Sequence, residues 1–565
     1  MKQPLLILTL AIGVSSVSAQ SIDNILTAPW FGLSGGVNAS VSANIGETYN
    51  QPPLSYMLNA SLSPTVKGFG FPLSMSYSNR KVNYAYSQPF NNFEFAPSYK
   101  WFKAYIGSAS MNFSPLTMSG YKFTGAGVEL TPSAIPFKFS AMYGRLRKAY
   151  VSDSSATDIA GQETGYARNA FATRMNYNVK KFDVGLIVFK AKDNAHSLPQ
   201  DYSIAAKENL ALELSTTVRL LPELKLDALY ALSCIDEDVS SDNIKPNNLG
   251  NYLTNVLQPN TATTHTYNSY KLTLSLKWFG LTYERTDPNY QTFGTYYSNN
   301  DFENITFNYN QTIEAFSLSG NIGFQRNDLA NEKASQAQRL VYAGNVNWQT
   351  TEKISMAASY SNFSVFMNIR PVFEQMNQID PLYYVDSLSF SQVSQTIDYN
   401  LSWILPQTGT VSQTIAYGFS YQDATDVRYQ GSFKNMQLYN NFLTYTFKEK
   451  DGQSFGLSLN SSIQTYEIGR NHLIGGAVSY GTDLFKKKIN LRSSLGYNTD
   501  ISDEYKPPHI VNLRIGAGYT LQKVHKFSFD ITQLLKLIPS QKTVYNCVFS
   551  LTYGYAFNLA KNNKK

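Results

Sequence analysis

Four acidic residues are crowded into one short stretch of the sequence and could bind a metal ion. Asp236, Glu237, Asp238 and Asp242 lie within residues 235–243. Carboxylate oxygens at this density are ligands that Ca²⁺ accepts. The stretch lacks both the ligand spacing and the glycine of an EF-hand loop, so a solvated loop is the favoured interpretation and a metal site the weaker one.

Residues that could carry out catalysis are sparse elsewhere. HExxH, Walker A and paired CxxC motifs are absent from the sequence. None of the five histidines stands where a neighbouring serine and acid predict a triad, although an acyl hydrolase could assemble one from distant strands. The two cysteines, Cys234 and Cys547, are too few for a disulfide framework and match no metal-ligand spacing. We therefore expect no enzymatic activity and no cofactor.

The composition excludes several broad classes of protein. The chain has 565 residues, 15% of them charged, with 40 Tyr, 34 Phe and a mean hydropathy of −0.27. A soluble globular chain has about 25% charged residues and a disordered chain has few aromatics. The mature sequence shows period-two alternation instead, as in Tyr270, Leu272 and Leu274 against Lys271 and Thr273. This pattern predicts β-strands with one apolar and one polar face.

Short and long connections alternate along the chain, which favours a barrel over a sandwich. Short turns, such as those at 180–181 and 486–488, separate hairpins whose far ends are usually long and polar, as at 235–266 and 365–389. Transmembrane β-barrels have short periplasmic turns and longer extracellular loops. We therefore predict an all-β protein, a transmembrane antiparallel β-barrel of the outer membrane. It should have 26 strands, or 24 if the hairpin at 32–65 folds inside the lumen.

The ends of the chain differ from the segment between them. The first residues combine Lys2, an apolar run and small residues up to Ala19, which predicts a Sec-type signal peptide cleaved near Ala19. The predicted organisation is a signal peptide at 1–19, a short periplasmic segment at 20–30, the barrel at 31–557 and a basic periplasmic tail at 558–565.

Ten charged residues fall on the polar face of predicted strands and are candidates to line the lumen. They are Arg174, Glu213, Arg219, Lys225, Asp227, Lys271, Lys277, Arg492, Arg514 and Asp530. Because basic residues outnumber acidic ones, a water-filled lumen lined by this set would favour anions. In the alternative interpretation, the charges pair with each other across neighbouring strands.

A barrel of this predicted width would leak unless something filled it. Barrels of 22 strands enclose a plugged lumen. We expect infolded loops, such as 235–266 and 365–389, or another protein to fill this one. The loop that contains Tyr290 and Phe293 offers aromatic faces for sugars or a partner, but the favoured interpretation places it in the outer girdle or over the mouth.

Parts of the sequence resemble a known group of proteins. About 50 residues between 99 and 150, including YKWFKAYIG and FSAMYGRLRKAY, are similar to large Bacteroidota outer-membrane proteins of uncertain role. Tyr553, Tyr555 and Phe557 resemble the terminal β-signal that the barrel-assembly machinery recognises. The resemblance implies an outer-membrane location and contact with that machinery during biogenesis; it implies lineage and no activity.

Two functions fit these predictions. The first is a pore or transporter for solutes or exported material. The alternative is a non-catalytic structural or assembly component of an outer-membrane secretion or surface-display complex. Outer-membrane lipid is an expected partner in both cases, and other outer-membrane or periplasmic proteins in the second. The net charge of +7 does not indicate nucleic acid, because lysines such as Lys181, Lys487 and Lys523 gather on the predicted periplasmic side.

Overall fold

The computed structural model is built almost entirely from antiparallel strands. It describes residues 30–46, 53–79, 91–151, 164–199, 204–245, 255, 257–295, 298–330, 338–362, 367–369, 388–390, 392–406, 409–425, 435–450, 452–466, 469–501, 508–537 and 543–561. The strand segments in this part of the chain are β1 Phe31–Gly46, β2 Leu54–Val66, β3 Phe69–Gly70, β4 Leu73–Ser78, β5 Asn92–Phe95, β6 Ser98–Tyr99, β7 Phe102–Ser110, β8 Lys122–Leu130, β9 Phe137–Arg147, β10 Ala167–Asn178, β11 Phe182–Asn194, β12 Glu208–Leu221, β13 Leu224–Asp236, β14 Thr264–Leu276, β15 Phe279–Thr286, β16 Phe302–Ile313, β17 Phe316–Asn327, β18 Gln338–Thr351, β19 Ile354–Ser361, β20 Met367–Ile369, β21 Leu388–Phe390, β22 Gln392–Ile404, β23 Val411–Thr425, β24 Asn435–Glu449, β25 Ser454–Tyr466, β26 Gly469–Leu484, β27 Ile489–Asp500, β28 His509–Leu521, β29 His525–Leu537 and β30 Val544–Lys561.

These segments form 26 barrel strands, as the sequence predicts. Two pairs of segments are single strands interrupted at a proline: β3 continues into β4 past Pro72, and β5 continues into β6 past Pro97. Proline has no N–H to donate to a sheet ladder, so each strand is interrupted where it occurs. Segments β20 and β21 pair only with each other, in a small ribbon separate from the barrel sheet.

The barrel closes between its first and last strands. β1 pairs with β2 on one side and with β30 on the other, from Phe31 opposite Lys561 to Gly46 opposite Asn546. The hairpin at 32–65 is therefore part of the wall, and the 24-stranded alternative is wrong. Closure gives every strand two neighbours, which leaves no open sheet edge.

The two rims of the barrel differ in the length of their connections. One rim carries the short turns, such as Lys67-Gly68 and Lys100-Trp101, together with the start of β1 and the end of β30. The other carries the longer connections, such as those between β13 and β14 and between β19 and β22. We call these the short-turn rim and the long-loop rim. β30 extends to Lys561, so residues 558–561, which the sequence assigns to a tail, belong to the sheet.

The register assigns each residue to one of two faces, because directly paired residues in antiparallel strands share a face. On the outward face, large apolar side chains such as Leu214, Leu274 and Phe324 are exposed. The lumenal face of the same strands carries residues such as Thr217, Thr273 and Gln325. This alternation follows the period-two pattern of the sequence.

No helix in the described part of the chain is long and apolar enough to cross a membrane. The predicted signal peptide and residues 20–29 lie outside the described residues.

Candidate functional site: the barrel lumen

One part of the lumenal wall is covered by a hydrophobic core inside the barrel. We call this part, strands β7–β13, the packed sector. Its lumenal face carries small and apolar side chains, among them Ala172, Ile187, Phe189 and Ala211, and all four are nearly fully buried. A water-filled channel needs a polar wall. This wall instead packs against protein.

Two connections from the long-loop rim supply that protein. Inner loop A is residues 111–121, between β7 and β8, and its Met111, Phe113, Met118 and Tyr121 pack in the same core. Inner loop B is residues 287–301, between β15 and β16, of which 296 and 297 lie outside the described residues. It contributes Phe293 to the edge of the core.

The two inner loops are joined directly to each other. Met118 and Gly294 form a parallel β-bridge, with the Ser119 N–H donating to the Gly294 carbonyl at 3.0 Å. The Thr292 hydroxyl donates to the Thr117 carbonyl at 2.6 Å, and the Tyr290 hydroxyl donates to the Leu116 carbonyl at 2.7 Å. Because these bonds are buried or partly buried, the inner loops form one unit.

Polar side chains of the wall anchor inner loop B. The side-chain oxygen of Asn209 accepts from the Phe293 N–H at 3.0 Å, and the Ser233 hydroxyl donates to the Gln291 carbonyl at 2.6 Å. The guanidinium of Arg168 lies 3.6 Å from the centre of the Phe293 ring. A cation on an aromatic face is an attractive contact, and it is stronger where water is excluded.

A buried ionic cluster supports the same anchor. Asp193 is 5% exposed and accepts from Arg168 at 2.7 and 3.0 Å, in a two-pronged contact. Arg147 approaches the same carboxylate to 3.5 Å. Paired charges tolerate burial, whereas a lone buried charge does not.

Glycines in the packed sector allow these close approaches. A β-carbon on Gly294 would lie 2.2 Å from the Thr117 carbonyl oxygen, and one on Gly127 would lie 2.5 Å from the Met111 sulfur. A β-carbon on Gly125 would meet the Tyr143 carbonyl oxygen at 2.1 Å. At Gly294 and Gly125 only glycine fits without a shift of the backbone, whereas at Gly127 the flexible Met111 side chain would have to move.

A second part of the wall has a lumenal face of different composition. We call strands β18, β19 and β22–β27 the polar sector. Its lumenal positions are mostly small or uncharged polar residues, for example Asn347, Ser359, Asn400, Ser458, Ser479 and Ser494. Several of these side chains are exposed or half-buried. The polar sector therefore presents hydrogen-bonding groups, with few charges, to the lumen.

Five of the ten predicted lumen charges lie on strands of the packed sector, and two of them lie beside inner loop A. Arg174 and Glu213 both face the lumen, at positions paired with Ile187 from either side. The Arg174 guanidinium lies 5.4 Å from the centre of the Phe113 ring, and Glu213 is 4% exposed with its carboxylate beside the Ser114 side chain of inner loop A. Both residues contact inner loop A.

Most of the other predicted lumen charges have opposite charges beside them. Arg219 pairs with Asp183, Lys225 with Asp227 at 2.8 Å, Lys271 with Glu284 at 3.3 Å, and Arg492 lies 3.8 Å from Asp530. Arg514 lines the same recess as Arg492 and Asp530. Lys277 lies in the turn between β14 and β15 with a φ of 41°, beside Glu223 at 3.6 Å. These opposite charges, two pairs of which join directly neighbouring strands, weaken the case for an anion-selective lumen.

The acidic stretch at 236–242 forms a hydrogen-bonded loop. Asp236 accepts from the hydroxyls of Thr261 and Thr263 at 2.8 and 2.7 Å. Glu237 pairs with Lys207. Hydrogen bonds from Ser240 hold the pKa of Asp238 below its usual range. Asp242 accepts through its backbone carbonyl. Within the described residues, no three His, Cys, Asp or Glu side chains are grouped to hold a metal.

The loops that the sequence favours as lumen blockers are not the ones that enter the lumen in the described structure. The described part of 235–266 packs on the outward face near the long-loop rim, where Gln258 contacts the Cys234 sulfur at 3.8 Å and Lys190 donates to the Leu257 carbonyl at 2.5 Å. The described part of this loop therefore does not fill the lumen, because its partners lie on the opposite face of the sheet from Glu213; residues 246–254 and 256 lie outside the described residues. Most of 365–389 lies outside the described residues.

The aromatic loop around Tyr290 also differs from its favoured interpretation. Tyr290 is 1% exposed and Phe293 lies against the core, so the described part of this loop folds into the lumen and not over the mouth. The sequence does contain an indication of this filling, in a strand of the barrel wall. Ile187 and Phe189 of β11 are apolar although they face the lumen. A strand that is apolar on both faces is buried on both faces.

Aromatic residues of the last strand lie on the outward face beside the closure. Tyr553 lies 4.9 Å from Phe527 between ring centres, and Tyr555 lies 5.5 Å from Phe557. His525 lies beside both tyrosines, with its Nδ1 2.9 Å from the Tyr553 hydroxyl. This aromatic cluster lies next to the β1–β30 pairing, which completes the barrel.

One sequence pattern typical of hydrolases occurs at the closure. Gly32-Leu33-Ser34-Gly35-Gly36 has the GxSxG spacing of a nucleophile elbow. Such an elbow requires a sharp turn from a strand into a helix. Ser34 instead lies within β1, paired with Ser63 on one side and Asn558 on the other. The context needed for a nucleophile is therefore missing.

Comparison with known proteins finds distant structural likenesses. No protein-family model and no curated protein matches the sequence. A mutant of the ferric enterobactin receptor PfeA from Pseudomonas aeruginosa is similar over 93% of this chain and 80% of its own, at 10% identity and a TM-score of 0.41. OccAB4 of Acinetobacter baumannii is similar over 67% of this chain and 97% of its own, at 14% identity and a TM-score of 0.29. The ferric yersiniabactin uptake receptor FyuA of Yersinia pestis has 11% identity and a TM-score of 0.36 over 93% and 80%. These TM-scores lie below 0.5, so none of these structures assigns a function to this chain.

Proposed function

We propose that this protein is a non-enzymatic outer-membrane β-barrel that acts as a pore or transporter for solutes or exported material, with its short turns in the periplasm. Closure of the sheet and the exposed apolar outward face support the membrane location, because a spanning sheet must pair all its backbone groups. Most of the barrel strands, for example Leu224–Asp236, exceed the 9 to 11 residues that cross a bilayer at a tilt.

The polar sector is the observation that carries the transport proposal. Its small side chains, such as Ser458 and Ser479, take little width from the lumen. Their hydroxyls, like the amides of Asn347 and Asn400, exchange hydrogen bonds with water or a hydrated solute at little cost. With few charges on this wall, passage would discriminate weakly by sign.

The width of the barrel is consistent with an opening beside the inner loops. With strands about 4.8 Å apart and tilted by about 40°, 26 strands would enclose a circle about 50 Å across. The contacts of inner loops A and B with the wall lie along one side, within and next to the packed sector. The passage would therefore run between the inner loops and the polar sector.

Conductance of the purified protein in planar lipid bilayers tests the proposal. We expect persistent conductance steps, reduced in the double variant Asn347→Trp with Ser359→Trp, which adds two large rings to the lumenal wall. Leu274→Trp is the matched control, because residue 274 is exposed on the outward face. A barrel that conducts nothing and co-purifies with other proteins would contradict the pore and favour a structural component of an assembly.

A further inference from the structure

The short turns of the rim carry a net positive charge on one side only. In the six short turns that follow one another from β26, past the closure, to β11, there are eight lysines and no Asp or Glu. We call this set the basic arc: Lys67, Lys100, Lys180, Lys181, Lys486, Lys487, Lys488 and Lys523. All eight are exposed.

The other half of the same rim is balanced. Its described turn residues, between β12 and β25, include three lysines and three glutamates: Lys277, Lys353, Lys450, Glu223, Glu314 and Glu352. Lys277 lies 3.6 Å from Glu223, whereas none of the eight lysines in the basic arc forms an ion pair with another described residue. The charges of the basic arc are therefore not neutralised within the described structure.

The geometry points to a binding surface for an acidic protein. From β26 to β11 the rim extends about 80 Å along the circumference, with a short turn at every second strand. We infer that the basic arc docks the acidic face of a second protein on the short-turn side of the barrel. Complementary charge of this kind steers encounter and sets orientation.

The one-sided distribution is the reason to prefer a protein over lipid. Anionic lipid head groups surround a barrel on all sides, so a lipid-binding role predicts lysines around the whole rim. A protein that docks under one half of the barrel needs positive charge only there. Because exposed charges are screened within about 10 Å at 0.1 M salt, the contact should weaken as salt rises.

Two tryptophans provide a matched pair of positions for the test. Trp101 follows Lys100 in the basic arc and Trp278 follows Lys277 in the balanced half; both tryptophans are exposed, at 42% and 41%, and both lysines have a positive φ. Each tryptophan is replaced in turn by the photo-cross-linking residue p-benzoylphenylalanine in the full-length protein. Living cells are then irradiated.

We expect a cross-linked protein adduct at position 101. The yield of the same adduct at position 278 should be at least 10-fold lower. The adduct should fall at least 10-fold when Lys67, Lys100, Lys180 and Lys181 are changed to Gln together, and less than 2-fold when Lys277, Lys353 and Lys450 are changed to Gln. Three results would overturn the inference. They are equal adduct yields at both positions, adducts at position 101 with lipid alone, and an adduct yield at 101 that does not change when the lysines of the basic arc are replaced.

Binding of a defined probe gives a second readout. The probe is a fluorescent 20-residue polyglutamate, added to the protein in nanodiscs of neutral phosphatidylcholine. The change of Lys486, Lys487, Lys488 and Lys523 to Gln should weaken binding at least 10-fold at low salt, and the three-lysine control less than 2-fold. If the probe does not bind in neutral nanodiscs, or both variants lose it equally, the basic arc is not an acidic-protein site.

Discussion

The packed sector and the polar sector share one closed sheet and one period-two pattern, yet their lumenal faces have opposite chemistry. Ala172, Phe189 and Ala211 in the first are buried under the inner loops, while Asn347 and Ser479 in the second are exposed. The backbone hydrogen bonds do not depend on this chemistry, because they pair the same N–H and C=O groups in both sectors. The difference shows that the lumen of one barrel can combine a built-in filling with an exposed polar wall.

The largest effect should come from a carboxylate that the packed sector buries. Asp193→Asn would leave Arg147 and Arg168 without their shared counter-charge, which costs about 3–5 kcal/mol when a buried pair is broken. At the edge of the polar sector, Asp530→Asn alters a half-exposed contact with Arg492 of β27 and should cost about 1 kcal/mol or less. Urea unfolding of each variant in lipid vesicles measures both. Equal losses of unfolding free energy would mean that the charge contacts of the two regions contribute equally to stability.

A smaller effect should follow from a methyl group at the contact between the inner loops. Gly294→Ala places a β-carbon 2.2 Å from the Thr117 carbonyl oxygen and 2.8 Å from the α-carbon of Met118, so the loops must separate. We expect a loss of about 1–3 kcal/mol in unfolding free energy and faster protease cleavage of the inner loops. Gly496→Ala is the control on the lumenal face of the polar sector, where the nearest atom would be 3.6 Å away. A control as unstable as Gly294→Ala would refute the special role of the loop contact.

The smallest effect should be on ion selectivity. The recess near β27–β29 has two arginines, Arg492 and Arg514, and one aspartate, Asp530. Arg514→Gln should reduce any preference for chloride over potassium by less than about 2-fold, with a weaker effect in 1 M salt. Reversal potentials across a salt gradient measure the ratio. A change of 10-fold or more in the chloride-to-potassium permeability ratio would support a strongly anion-selective lumen.

The strands of the barrel wall and their two faces could be predicted from the sequence. The two inner loops that fill part of the lumen could not. Alternation such as Leu272 and Leu274 against Lys271 and Thr273 fixes which side chains share a face, since side-chain direction in a strand is local. The turns and the strand number follow from the same pattern. The number 26 is confirmed by the pairing of Phe31 with Lys561.

The inner loops depend on contacts between residues far apart in the sequence. Thr292 meets Thr117 across 175 positions, and no local pattern encodes that pairing. Length and polarity instead pointed to 235–266 as a filling loop. The better guide was the apolar lumenal pair Ile187 and Phe189, because such residues would be costly on a wall that faces water.

Accessibility of cysteines placed in the two sectors tests the central claim most directly. The native Cys234 and Cys547 are buried, so an unsubstituted protein should not react with a charged, water-soluble methanethiosulfonate. Asn347→Cys is predicted to react in open channels and to change the single-channel conductance, while Ala211→Cys, under the inner loops, is predicted to stay unmodified. Rapid modification at 211, or no reaction at 347, would contradict a passage along the polar sector.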